Sequence, residues 1–249
     1  MPLSTIIVED EPLSREFLCN LLTEFCPEVQ ILSTSATENG AIEIITKLNP
    51  DLVFLDIQLQ VGTGFNVLKN IGHTNFQVIF TTGLDDDAIK TIKISGVEYL
   101  QKPVDIEGLK RAIKIVSEKL NTKVAQAALA SLVETIKNDN NPIKLMLQTA
   151  EEVEFVIIKD IIRIEANESN CTFILKSGAK KIVAKNLKEY ETLLSDYHFF
   201  RTHNYHVINT KEVIKIKNTE NATIKMSDGS SIPLSAKKKE ELTSIVQEA

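Results

Sequence analysis

The chain has 249 residues, 43% of them hydrophobic, and a formal net charge of −6. That length is enough for two ordinary cores. No stretch approaches the roughly 20 continuous apolar residues of a membrane span, and the opening residues MPLSTIIVEDE lack the basic flank and apolar run of a secretory signal. Three cysteines, Cys19, Cys26 and Cys171, make no disulfide framework, which points to a reducing, cytoplasmic setting. The charge is uneven: residues 1–141 carry a net of −7 and residues 142–249 a net of +1. Such asymmetry suggests two parts with separate tasks.

The first half alternates between apolar strands and amphipathic helices. TIIVED is a β-branched run ending in acids, and SREFLCNLLTEF places Phe17, Leu18, Leu21, Leu22 and Phe25 at helical spacing. VQILST, ENGAIEIITKL, DLVFLDI, GFNVLKNI, FQVIFTT, DDDAIKTIKI and VEYLQKP continue the alternation. A long helix then carries Ile106, Leu109, Ile113, Val116 and Leu120 three and four apart. This pattern predicts a doubly wound α/β domain over residues 1–120, with a parallel sheet covered on both faces. Residues 121–141 keep a helical period through Ala125, Leu129, Leu132 and Ile136, until KNDNNP stops it. They read as a helical linker, with a dimer-forming extension of the preceding helix as the alternative. Residues 142–249 have a different texture. Short β-rich runs are punctuated by Gly178 and Asp228-Gly229, and helices are expected only near 186–195 and 236–247. A mostly-β domain follows.

In an open parallel sheet, ligands bind beyond the carboxyl ends of the strands. Here those ends carry Glu9-Asp10, Asp56, Thr81-Thr82 and Lys102-Pro103. The topology gathers three carboxylates, a hydroxyl and an ammonium into one crevice. Clustered carboxylates repel one another and invite a hard dication such as Mg²⁺. A carboxylate beside it can act as a nucleophile toward phosphorus, with the metal and the lysine neutralising the transferring group.

IIVEDEP, VFLDIQL, VIFTTG and YLQKP, in that order and spacing, resemble the receiver domain of two-component response regulators over about residues 3–120. The resemblance implies a five-stranded sheet of order 2-1-3-4-5 with Asp56 as phosphoacceptor. It implies Mg²⁺ held by Glu9, Asp10, Asp56 and the backbone carbonyl of Gln58. Lys102 would pair with the phosphoryl group ahead of a cis-prone Pro103. Thr82 would be the catalytic and switch hydroxyl, and Tyr99 the switch aromatic. The chain departs from the family at Glu9, where aspartate is usual, at Gln60, where proline is common, and at Gly83, where alanine is common. A phosphatase using an aspartyl nucleophile would need a second aspartate two residues on, and that position is Gln58.

The stretch RTHNYHVIN, residues 201–209, concentrates polar side chains in the second half, with His198 just upstream. The spacing of His203 and His206 on a strand or turn does not suit a zinc site, and the chemistry reads either as structural histidines or as a recognition surface. IIRIEANESNCTFIL, HFFRTHNYHVIN, VIKI and DGSSIPLSAKKKEEL together look like a LytTR-type DNA-binding domain, of the kind found in LytR/AlgR-like regulators, over about residues 142–247. That resemblance implies DNA-reading loops at Asn170 and Cys171, at His203, Asn204 and Tyr205, and at the start of the last helix. Ala236 stands there where arginine is frequent. Asparagine can pair bidentately with adenine. Lys237, Lys238 and Lys239 lie at a helix N-terminus, where cations oppose the macrodipole unless an anion such as a DNA phosphate docks.

Together these readings imply a phosphorylation-controlled transcriptional regulator rather than an enzyme in its own right. Its expected partners are a cognate sensor histidine kinase and double-stranded promoter DNA. A homodimer is expected once phosphorylated, through the surface of the fourth helix, fifth strand and fifth helix that includes Ile89, Lys93 and Lys110. The alternative is a phosphorylation-gated protein-interaction module whose second domain no longer binds DNA.

Overall fold

A computed structural model describes residues 2–71, 75–83, 87–120, 122–137, 142–150, 152–167, 169–217 and 222–248. The chain divides into two compact units, Met1–Asn141 and Pro142–Ala249.

The first unit runs β1 (Leu3–Val8), α1 (Pro12–Phe25), β2 (Val29–Ser35), α2 (Glu38–Leu48), β3 (Leu52–Asp56), α3 (Gly64–Ile71), β4 (Gln77–Thr82), α4 (Asp87–Ser95), β5 (Glu98–Gln101), α5 (Ile106–Lys119) and α6 (Lys123–Lys137). The five strands are parallel in the order β2-β1-β3-β4-β5, the order implied by the receiver resemblance. β3 and β4 are buried along their whole length, as strands covered on both faces must be. Local signals set the helix ends. Pro12 opens α1, where its missing N–H is not needed. Thr37 accepts from the Gly40 amide and Asp105 from the Gly108 amide, capping α2 and α5.

One face of the sheet packs Ile7, Phe54 and Ile79 against Leu18, Leu21 and Leu22 of α1 and Leu109, Ile113 and Val116 of α5. The other packs Ile6, Val8, Val53, Leu55, Val78 and Phe80 against α2, α3 and α4. Fully burying each such side chain contributes about 1.5–3 kcal/mol. The stretch read from sequence as a linker also lies on this second face. α6 lies against α3, α4 and β4, and its Leu129, Leu132 and Val133 belong to the same core.

The second unit runs β6 (Lys144–Gln148), β7 (Val153–Ile157), β8 (Ile161–Ala166), β9 (Cys171–Leu175), β10 (Lys180–Val183), α7 (Leu187–Leu193), β11 (Phe199–His203), β12 (His206–Asn209), β13 (Val213–Lys217), β14 (Thr223–Met226), β15 (Ser231–Pro233) and α8 (Ala236–Glu248). Its sheets have the orders β10-β9-β8-β12-β11, β13-β14-β15 and β6-β7. Ile162, Phe200 and Ile208 of the larger sheet pack against Ile224, Met226 and Ile232 of the three-stranded one, with Leu242 of α8 completing the core. Gly229, at φ 83°, makes the tight turn between β14 and β15. The same turn carries Asp228, whose Oδ2 accepts from Nε of the buried Arg163 on β8 at 2.7 Å.

Candidate functional site

The carboxyl ends of β1, β3, β4 and β5 meet in a cleft of about 420 Å³ lined by Glu9, Asp10, Asp56, Gln58, Thr82 and Lys102, among others. Glu9, Asp10 and Asp56 each offer a carboxylate oxygen within 4.8 Å of the others, the one such group of potential metal ligands among the described residues. Lys102 reaches across it: Nζ lies 2.6 Å from Oδ2 of Asp56 and 2.6 Å from Oε2 of Glu9. Glu9 is 2% exposed and Asp56 5% exposed.

Backbone donors hold further oxygens of the cluster. Gln58 N–H donates to Asp56 Oδ1 at 3.1 Å, and Gln60 N–H to Asp10 Oδ2 at 2.9 Å. Arg15 Nη1 donates to the carbonyl of Glu9 at 2.6 Å and braces the end of β1 from α1. Burial pushes the Glu9 carboxyl above its ordinary value, with Lys102 opposing and the Asp56 charge adding. Burial alone would lower Lys102, but its hydrogen bonds to Asp56 and Glu9 outweigh that, and its pKa is raised. The ammonium is therefore charged at neutral pH. Thr82 is buried at the end of β4, and Tyr99 on β5 is half-buried under Lys93 Nζ, 4.8 Å from the ring centre. Ile89 is only 3% exposed, so it is core rather than surface, which corrects the expected docking face. Lys110 sits over the Phe25 ring.

Sequence reading missed Gly64. A Cβ there would lie 2.2 Å from the carbonyl oxygen of Asp56 and 2.9 Å from Leu55 Cγ. The first turn of α3 thus packs directly against the backbone of β3 at Asp56. The glycine was visible in the sequence, but its purpose depends on a close approach between segments eight residues apart.

In the second unit, backbone bonds draw the three expected loops to the β11–β12 hairpin. Ala166 N–H donates to the Tyr205 carbonyl at 2.8 Å, joining the β8–β9 loop to the β11–β12 turn. Ser235 N–H donates to the Thr202 carbonyl at 3.2 Å, which brings the start of α8 to the same strand. Asn204 and Tyr205 are exposed at the tip, and His203 is half-buried with its ring 6.0 Å from that of Tyr205. Asn170 is half-buried in a loop closed by hydrogen bonds with Asn167. His206 is held below its ordinary pKa by burial, with Arg163 and His203 adding and Glu165 opposing.

One expected contact needs correction. The Cys171 side chain is fully buried, and its thiol donates to the Lys185 carbonyl at 3.1 Å. It faces the interior because alternate residues of β9 do, so it cannot touch DNA from this position. Lys238 stays at the surface: its side chain is 41% exposed, with Nζ 2.8 Å from Glu241 Oε2 and 5.1 Å from the Phe200 ring centre. Lys239 is half-buried, and the side chain of Lys237 lies outside the described residues. Arg163 was the overlooked signal in this half: a charged residue inside the apolar run IIRIEA announces a buried ion pair.

Comparison with known proteins assigns both halves. Residues 5–114 match the family model of the response regulator receiver domain, and residues 151–247 that of the LytTr DNA-binding domain. The chain is similar to the sensory transduction protein LytT of Bacillus subtilis, 30% identical over 249 residues covering 98% of this chain and 99% of that one. The LytT of Bacillus anthracis is 28% identical, covering 98% and 99%. Among solved structures, a DNA-binding response regulator of the LuxR family from Staphylococcus aureus matches at 30% identity and TM-score 0.42, covering 46% of this chain and 98% of that one. The LytTr DNA-binding domain of a Bacillus cereus response regulator matches at 17% identity and TM-score 0.37, covering 43% and 98%.

Proposed function

The chain belongs to the two-component response regulators that join a receiver domain to a LytTr DNA-binding domain, and from that membership we propose that Asp56 is the phosphoacceptor and that its phosphorylation controls promoter binding. The protein is a phosphorylation-controlled transcriptional regulator. The observation that supports the finer assignment is the single ammonium of Lys102 shared between Asp56 and Glu9, beside Asp10.

In this reading an Asp56 carboxylate oxygen attacks the phosphorus of a phosphohistidine on the sensor kinase. A P–O bond forms, the P–N bond breaks, and the departing imidazole takes up a proton. Lys102 faces the charge that develops on the phosphoryl oxygens, already aimed and already positive. The donor set of three carboxylates is hard oxygen only, which suits Mg²⁺. Glu9, Asp10, Asp56 and the Gln58 carbonyl would hold it, and the ion would supply charge neutralisation of the transferring group. Glu9 has one methylene more than the aspartate common in the family, and its position within the 4.8 Å cluster is compatible with that role.

Thr82, at the end of the strand next to Asp56, is the hydroxyl placed to follow the new phosphoryl group, with Tyr99 responding on β5. The change biases a population between two states rather than creating a new one. A homodimer of the phosphorylated form would bring two DNA-reading domains to neighbouring half-sites. Asn204 and Tyr205 are the side chains we assign to base reading, with His203 beside them.

Two measurements test this. A small phosphodonor with Mg²⁺ labels the wild-type chain, and Asp56→Asn abolishes the label while circular dichroism stays unchanged. Wild-type labelling of that variant refutes the assignment. Selection of duplexes from a random library by the phosphorylated chain enriches a repeated half-site; enrichment of nothing refutes the DNA assignment.

A further inference from the structure

The turn at the tip of β11 and β12 is irregular, and its irregularity has a partner. The β11–β12 register shifts between Arg201 and His203, so the ladder is interrupted just before the turn. The irregular end of the ladder and the turn after it leave carbonyls without ladder partners, and two of them go to one side chain. Arg201 Nε donates to the His203 carbonyl at 3.2 Å, and Nη2 donates to the Asn204 carbonyl at 2.8 Å. The third direction of the guanidinium is occupied too. Nη1 donates to Glu191 Oε2 at 2.6 Å, from α7. One planar fork therefore joins α7 to two consecutive carbonyls of the turn.

We propose that Arg201 is a positioning residue for DNA recognition: clamped by Glu191, it holds the His203–Asn204–Tyr205 turn in its reading conformation and does not itself contact phosphate. The proposal rests on the assignment of that turn to DNA reading. A cation beside a DNA-reading loop would ordinarily be taken for a phosphate contact. Here its charge is already matched by a carboxylate, and each of its three nitrogens already donates to a protein acceptor. The fixed geometry of guanidinium is what the arrangement uses. A lysine keeps the charge but offers a point donor, which cannot hold two carbonyls and a carboxylate in one plane. Rigid presentation matters because an exposed asparagine and tyrosine on a two-residue turn lose affinity if they must be ordered at the moment of binding.

Phosphate contact and positioning leave different signatures. Removing a phosphate contact weakens all duplexes alike and lowers the slope of log affinity against log salt by about one. Removing a positioning residue weakens only the selected duplex and leaves the slope unchanged. The probes are the duplex enriched from a random library by the wild-type chain and a scrambled duplex of equal length. With the full chain, Arg201→Lys and Arg201→Ala are both expected to lose about tenfold or more on the enriched duplex, with little change on the scrambled one and unchanged salt slopes. Glu191→Ala, which frees the guanidinium, is expected to raise affinity for the scrambled duplex and steepen its salt slope. Arg201→Lys with wild-type selectivity, or Arg201→Ala with a slope lowered on both duplexes, overturns the proposal.

Asn204→Ala separates the two readings: if it keeps full selectivity, the turn does not read bases and the underlying assignment fails. Amide hydrogen exchange provides a readout that needs no DNA. In Arg201→Lys the amides of residues 203–206 are expected to exchange at least about tenfold faster while those of β8 and β9 stay protected, since local opening is governed by local contacts. Unchanged protection at the turn refutes the clamp whatever the DNA result.

Discussion

Replacing Leu132 by alanine separates a linker from a structural helix. Leu132 is fully buried, in one core with Leu129, Val133, Leu55, Val78 and Phe80. Truncating a leucine in such a place costs about 2–5 kcal/mol, the transfer of the lost methyl groups plus the cavity left behind. That is a large part of the roughly 5–15 kcal/mol a domain has. The chain has two compact units, so a single melting curve of the whole chain does not isolate the first. Amide exchange of β3 and β4 isolates the first unit. At about 3 kcal/mol, those amides should exchange roughly a hundredfold faster in Leu132→Ala, under conditions where exchange reports global opening.

Two controls on α6 carry opposite expectations. Gln126 is exposed, and its replacement by alanine should change nothing beyond about 0.5 kcal/mol. Ser131 is buried, and among the described residues its Oγ has no hydrogen-bond partner. An unmade buried hydrogen bond is unfavourable, so Ser131→Ala should slow exchange rather than hasten it. If Leu132→Ala leaves β3 and β4 as protected as in the wild type, α6 is a spacer after all and the packing argument fails.

Two further outcomes are expected. Gly64→Ala should slow phosphorylation by at least about tenfold and lower stability by about 1–3 kcal/mol, because the new Cβ meets the Asp56 carbonyl and either α3 or the phosphoacceptor must move; Gly83→Ala, with nothing within 4 Å of the added atom, should leave labelling rate and melting temperature alone, and equal behaviour of the two variants would refute the steric reasoning. The Asp228 carboxyl is held below its ordinary value: burial pushes it up, but Ser230 and Arg163 outweigh that, so its contribution is full above about pH 4 and is lost as pH falls through the depressed value. Thermal melting of the second unit should therefore weaken toward pH 3, and Asp228→Asn should show less of that slope; an identical slope in the variant would mean that other carboxylates set it.

What was legible in the sequence follows from what a one-dimensional pattern can carry. The acidic cluster was legible because a parallel sheet has one functional edge: once five strands are recognised, Glu9, Asp10, Asp56, Thr82 and Lys102 are strand ends and must meet. No distance had to be guessed. The burial of Cys171 was hidden because its role came from its place in a loop motif, whereas its direction is set by the alternation of β9. The three lysines look uniform in sequence, but on a helix successive side chains point about a hundred degrees apart, and Lys238 is the one that lies beside Phe200 and Glu241.

The α6 stretch shows the same limit from the other side. Its period named Leu129 and Leu132 as one apolar face without saying what covers that face, and a linker, a dimer seam and a sixth helix of the first domain all share that period. Length would not have decided it either. What decides it is that α3, α4 and β4 present a site on the sheet where those side chains fit, which is a property of residues 64–95 and not of residues 123–137. The Arg201 fork belongs to this class too. Arg201 and Glu191 are ten residues apart in a region with many charges, and only the fold shows that one guanidinium is divided among a helix and two carbonyls of a turn.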